Sequence, residues 1–127
     1  MRTFNNPDTV HQPAATYSHH VVVEHERLML SSGQIGMTPD GQLVEGVEAQ
    51  LAVAFDNLTA NLAAAEMSMT DVVKLTIYFA SAIDPSVRRR LIADALGDHR
   101  PTMSVLYVAG LGTDEMLVEV EAIASQP

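Results

Sequence analysis

The stretch GVEAQLAVAFDNLTANLAAAEMSMTDVVKLTIYF, residues 46–79, carries the two clearest periodicities in the chain and decides the fold class. From about Val47 the residues Val47, Leu51, Phe55, Leu58, Leu62 and Ala65 fall three or four apart, while Glu48, Asp56 and Asn61 occupy other faces. Side chains at that spacing share one side of a helix, so the segment reads as an amphipathic α-helix. Ser68-Met69-Thr70-Asp71 then breaks the pattern. Beyond it Val73, Leu75, Ile77 and Phe79 alternate with Val72, Lys74, Thr76 and Tyr78, the period of a strand with one apolar face.

Toward the carboxyl end, Asp84-Pro85-Ser86 supplies a helix start, and Val87, Leu91 and Ala95 with Ile92 make a short apolar stripe ending before Gly97. Two strands follow around Met103–Val108 and Met116–Ala124, and the glycine-rich Gly110–Asp114 connection is expected to reverse the chain between them. Toward the amino end, Pro7 and Pro13 mark the segment to Ala15 as an extended arm with at most a short edge strand around Arg2–Phe4. The apolar runs Val21–Val23 and Leu28–Leu30, separated by polar Glu24–Arg27, read as a hairpin. Thr38-Pro39-Asp40-Gly41 forces a turn, because proline fixes one backbone angle and glycine frees another.

The expectation is one α+β domain over residues 1–127, ordered β-β-α-β-α-β-β, with one mixed sheet and two helices on one face. Val21-Val22-Val23 and Val105-Leu106-Tyr107-Val108-Ala109 are apolar on both faces, and two helices cover only one of them. Further copies of the chain are expected to cover the other, in a closed homo-oligomer.

Seven Lys and Arg stand against sixteen Asp and Glu, a formal net charge of -9, so the long-range field repels phosphate backbones and anionic membranes. Nucleic acid is not expected as a partner. With no cysteine, disulfides, thiolate nucleophiles and cysteine-type zinc sites are excluded. The amino terminus lacks the apolar core of a signal peptide, and no run approaches the roughly 20 apolar residues of a membrane span, so a cytoplasmic location is expected. The cations Arg88, Arg89, Arg90 and Arg100 cluster in sequence, which leaves room for a local positive site within an acidic protein.

Several short motifs then resemble a known family. Tyr17 follows Pro13-Ala14-Ala15-Thr16, Ser32-Gly33-Gln34-Ile35-Gly36 ends the first strands, Gly46-Val47-Glu48-Ala49-Gln50 opens the first helix, Asp71-Val72-Val73-Lys74-Leu75-Thr76 opens the middle strand, and Glu119-Val120-Glu121-Ala122-Ile123-Ala124 closes the chain. In this order and spacing they are similar to the signatures of the RidA/YjgF family of reactive-intermediate deaminases. The resemblance implies a chorismate-mutase-like fold, a homotrimer, and ligand clefts between subunits. It also implies hydrolysis of small reactive enamines or imines to carbonyl compounds and ammonia, with no cofactor, since an imine carbon is already electrophilic.

Carried over by position, Glu119 matches the glutamate that orients the attacking water, Tyr17 the tyrosine lining the cleft, and Ser32-Gly33 a backbone wall of the pocket. The family's Pro-x-Arg-Ser, whose arginine clamps the substrate carboxylate, reads Pro101-Thr102-Met103-Ser104 here, and the neighbouring cysteine is Val105. Methionine offers no fork of charge-assisted hydrogen bonds, so Met103 and Val105 imply a more apolar site. By the same resemblance Arg89 stands where the family has an asparagine that approaches the neighbouring subunit's pocket, which implies a cation restored there.

Other chemistry is weaker on the residues alone. Glu119 and Glu121, roughly 7 Å apart on one strand face, also fit a plain solvated surface. His19 and His20 point to opposite faces of a strand, so a metal site with His25 is not expected. Arg90 and Asp94 have the spacing of an ordinary helical ion pair. Two readings therefore stand: an enamine or imine hydrolase, favoured by Glu119, and a non-deaminase trimer binding an apolar small molecule, favoured by Met103. A ribonuclease or translation-inhibitor role, attached to some relatives, is opposed by the charge balance.

Overall fold

Leu51, Ala54, Phe55, Leu58 and Leu62, spaced as the periodicity requires, are the buried stripe of an 18-residue helix α1, Val47–Ala64. The coordinates are a computed structural model and describe residues 1–9, 12–13, 16–24 and 27–127. Ahead of α1 lie four short strands, β1 (Arg2–Asn5), β2 (His20–Val23), β3 (Arg27–Leu30) and β4 (Gln34–Ile35). After it come a single 3-10 turn (Met69–Asp71), β5 (Val72–Phe79), α2 (Pro85–Leu96), β6 (Thr102–Tyr107) and β7 (Val118–Gln126).

The main sheet has the order β3-β7-β5-β6, with β4 also paired to β7. It is mixed: β5 and β6 run parallel, whereas β7 is antiparallel to β5, β3 and β4. Leu75, Ile77 and Phe79 of β5 and Val118, Val120, Ala122 and Ala124 of β7 point to one side, where they meet α1 together with Ile92 and Leu96 of α2. Each fully buried leucine or isoleucine there contributes about 2 kcal/mol of apolar transfer. The expected two helices on one face of a mixed sheet are therefore present.

Two local devices fix the helices. Asp84 caps α2, its Oδ1 accepting from the Ser86 and Val87 backbone N–H groups, with Pro85 at the first helical position. Gln50, 2% exposed, donates from Nε2 to the Val44 and Glu115 carbonyls at 3.0 Å each and accepts from Leu117 N–H at 2.8 Å. One side-chain amide thus ties α1 to the loop before it and to the entrance of β7.

Two expectations need correction. Val21–Val23 and Leu28–Leu30 do not form a hairpin: β2 pairs with β1 in a separate two-stranded sheet, and β3 pairs with β7. The Gly110–Asp114 connection does reverse the chain, since β6 is parallel and β7 antiparallel to β5, but the reversed strand crosses to the other side of β5 rather than pairing with β6. Finally, the sheet face away from the helices is not uniformly apolar. Lys74, Thr76, Tyr78, Glu119 and Glu121 share the parity opposite to the buried set, and large apolar groups, Leu28, Leu30, Ile123 and Leu106, are added at its margins.

The amino-terminal pair docks beside β6. Arg2 donates to Thr70 O and lies 3.4 Å from Asp71, Phe4 meets His99 edge-on at 5.2 Å, and Ser18 bridges Thr102 in parallel. The Ala15 end of the arm and His25 lie outside the described residues. Among the described residues no helix is long and apolar enough to cross a membrane.

Candidate active site on the open sheet face

Glu119 sits on β7 between Ile35 of β4 and Tyr78 of β5, half-buried and facing away from the helices. Its carboxylate lies directly over Gly33. A Cβ built on Gly33 would fall 1.7 Å from Glu119 Oε1, so only glycine leaves room for this arrangement. The loop that presents Gly33 is pinned from both ends. Ser31 Oγ accepts from Ala122 N–H at 2.9 Å, and Ser31 N–H donates to Ala122 O at 2.9 Å. On the other side Asn57 Nδ2 of α1 donates to the Ile35 and Met37 carbonyls, and Asn61 Nδ2 donates to Gln34 Oε1.

Tyr78 is directly opposite Glu119, yet its hydroxyl crosses the diagonal to donate to Glu121 Oε1 at 2.6 Å. That hydrogen bond holds the phenol above its usual pKa, and burial and the negative charges of Glu121 and Glu119 push it the same way. A group whose folded pKa is raised favours folding below its unfolded pKa and loses that contribution as pH rises through the folded value. Tyr78→Phe is therefore expected to remove a phenol ionisation above the ordinary range from the alkaline absorbance titration. Stability should also fall less steeply in strong alkali than it does for the parent chain.

Gly33, with Ser32 preceding it in the same loop, thus stands beside Glu119. The remaining expected site residues are not brought there within one chain. Tyr17 precedes Ser18, which bridges Thr102 at the far edge of β6, and its ring meets His19 edge-on at 5.5 Å. Three strand spacings across and four residues along the sheet put it on the order of 20 Å from Glu119. Met103 and Val105 are opposite Leu75 and Ile77 and so face the helix side, the reverse of Glu119, with Met103 packed on the core. Sequence alone showed their alternation but not which parity β5 would impose. Arg89 is exposed on α2, also on the helix side of the sheet. Its neighbour Arg88 reaches β6 instead, donating to the Tyr107 hydroxyl at 2.9 Å.

Tyr78 and Lys74 were not anticipated as site residues, and Glu121 was read as plain surface. The available signal was the polar alternation Lys74, Thr76, Tyr78 in a strand that proves central, where all three are half-buried and Lys74 and Tyr78 are hydrogen-bonded. Among the described residues no group of three or more metal-ligating side chains occurs.

The chain matches the family described as Endoribonuclease L-PSP over residues 8–126. It is 37% identical over 116 residues to Protein HMF1 of Saccharomyces cerevisiae, covering 89% of this chain and 86% of the yeast protein. It is 36% identical over 116 residues to the 2-iminobutanoate/2-iminopropanoate deaminase of Rattus norvegicus, covering 90% of this chain and 84% of the rat protein. In three dimensions it resembles a conserved Rid-family protein, YyfB of Yersinia pestis, with a TM-score of 0.87 and 27% identity over 98% of each chain. A match across nearly the whole chain, on a fold of two helices and a mixed sheet, places this protein in the endoribonuclease L-PSP family, that of the RidA/YjgF proteins.

Proposed function

We propose that the protein hydrolyses a small reactive enamine or imine to a carbonyl compound and ammonia, in a cleft that a second copy completes within a homotrimer. The observation that carries this reading is the Glu119 carboxylate lying over the side-chain-free Gly33 on an open sheet face. There it can accept a proton from a water molecule and aim the oxygen at an imine carbon held against the Ser32-Gly33 backbone. Oxygen adds to the carbon as the C=N bond becomes a single C–N bond, giving a carbinolamine. Glu119 hands its proton to that nitrogen, the carbinolamine hydroxyl proton follows by way of the same carboxylate, the C–N bond breaks to release ammonia, and the hydroxyl oxygen becomes the carbonyl oxygen. One water is consumed, and no redox partner or cofactor enters the balance.

Tyr17, remote from Glu119 in its own chain, is assigned to the cleft formed with a neighbour, and Arg89 is assigned to bind an anionic substrate group from a neighbouring α2. Met103 supports the second reading, a trimer that binds an apolar small molecule without deaminating it, because a thioether packed on the core cannot clamp a carboxylate.

The test is to generate 2-iminobutanoate with a dehydratase and follow keto-acid release. The parent chain is expected to accelerate release, and Glu119→Ala to return it to near the uncatalysed rate while folding normally. Equal acceleration by both chains would remove Glu119 from the chemistry. Acceleration by neither would leave the non-deaminase reading.

A further inference from the structure

On the helix side of the domain, opposite the sheet face given to neighbouring copies, a groove of about 390 Å³ runs between α1 and α2. Its floor is apolar: Phe55 of α1 is buried there, and Leu91 and Ala95 of α2 are half-buried. Its two walls each carry one exposed carboxylate, Asp56 from α1 and Asp94 from α2, and no basic side chain lines it. Among the described residues Asp56 has no ion pair, and Asp94 has only Arg90 at 4.0 Å, with the two side chains 69% and 62% exposed respectively. An exposed pair at that distance contributes little and is easily displaced. Arg89 and Leu91 are two residues apart, roughly 200° around a helix, so the arginine assigned to a neighbour's cleft lies on the other side of α2 from the groove.

We infer that this groove binds a linear aliphatic diamine in its doubly protonated form, with the methylene chain along Phe55 and Leu91 and the ammonium groups on Asp56 and Asp94. Packed helices have axes about 8–10 Å apart, which sets the span between carboxylates on facing walls at a similar length, a reach for a chain of about six methylenes. The volume is about thirteen times the share of one water in the liquid, room for such a chain with its headgroups. Charge decides the class of ligand. Two carboxylates flank the apolar floor, and a net charge of -9 concentrates cations around the whole protein while repelling anions. The inference does not rest on the catalytic reading, since none of these residues is assigned a chemical step.

Calorimetric titration of the intact protein with 1,6-diaminohexane tests it, alongside hexylamine and 1,6-hexanediol, which keep the chain and lack one or both charges. Saturable diamine binding is expected, about fivefold or more tighter than that of hexylamine, with no measurable binding of the diol. Asp56→Asn and Asp94→Asn, at exposed positions, are each expected to weaken diamine binding by a similar factor. The double variant Asp8→Asn, Asp114→Asn removes two exposed charges outside the groove and is expected to leave binding unchanged. Equal weakening by that distant pair would reduce the effect to general attraction by an acidic surface and overturn the inference. Hexylamine binding as tightly as the diamine would overturn it too, as would the absence of any saturable binding. The analogue series needs no variant and stands even if a substitution perturbs folding. Failure of the deaminase assay with diamine binding retained would separate this inference from the catalytic reading.

Discussion

Gly33→Ala is expected to lower the rate of imine hydrolysis by about a hundredfold, the scale on which a misplacement of about 1 Å at a reacting centre is felt. The new methyl group would sit 1.7 Å from Glu119 Oε1, 2.4 Å from its Cδ and 2.6 Å from its Cγ, so that the carboxylate must leave its present place. The clash is with the far end of a flexible side chain, and Gly33 is not in the left-handed backbone region. The carboxylate therefore swings away and the backbone stays, with stability changed by about 1 kcal/mol or less. Kinetics on 2-iminobutanoate and a thermal melt of the same sample check both halves. A variant with unchanged turnover would show that the position of the Glu119 carboxylate is immaterial.

Gln50→Leu is expected to do the reverse, with stability falling by about 2–3 kcal/mol, measured as a lower midpoint in urea or a melting temperature reduced by roughly 5–10 °C. Leucine fills nearly the same space but leaves the Val44 and Glu115 carbonyls and the Leu117 N–H without their side-chain partner. The cost comes from stranding polar groups at a buried junction, where apolar volume offers no compensation. The junction also matters to the site, because Leu117 leads into β7 two residues before Glu119 and Gly36 packs against Gln50 with no room for a Cβ. A midpoint within error of the parent chain would mean that water replaces the amide without loss.

The elements legible in the sequence were those whose periodicity is local. α1 and the closing strands needed only the spacing of their own apolar residues, and α2 announced itself through the Asp84-Pro85-Ser86 cap. Pairing was less legible, because a four-residue strand records which face is buried but not which strand lies beside it. Leu28–Leu30 therefore looked like the partner of nearby Val21–Val23, while the sheet pairs it with Ala124 and its neighbours at the end of the chain.

Residue parity misled in a related way. Met103 and Val105 belong to the motif that also contains Ser104, yet parallel pairing with Leu75 and Ile77 turns them toward the helices and turns Ser104 toward Lys74. Glu119 and Gly33 are 86 residues apart in sequence, and no spacing rule joins them; family resemblance did so, and the pairing of β4 with β7 supplies the physical reason. Tyr78 and Lys74 were passed over because polar residues alternating in a strand ordinarily mean solvent, and only the central place of β5 changes that meaning.

In the proposed homotrimer, one chain's Glu119 and another chain's Tyr17 serve the same cleft. The most direct test of this sharing mixes two inactive chains, Glu119→Gln and Tyr17→Phe, unfolds and refolds them together, and follows 2-iminobutanoate hydrolysis. If the cleft is shared, random assembly restores intact sites at about a quarter of the interfaces and activity rises to about that fraction of the parent level. If the mixture remains as inactive as each variant alone, the shared cleft is contradicted.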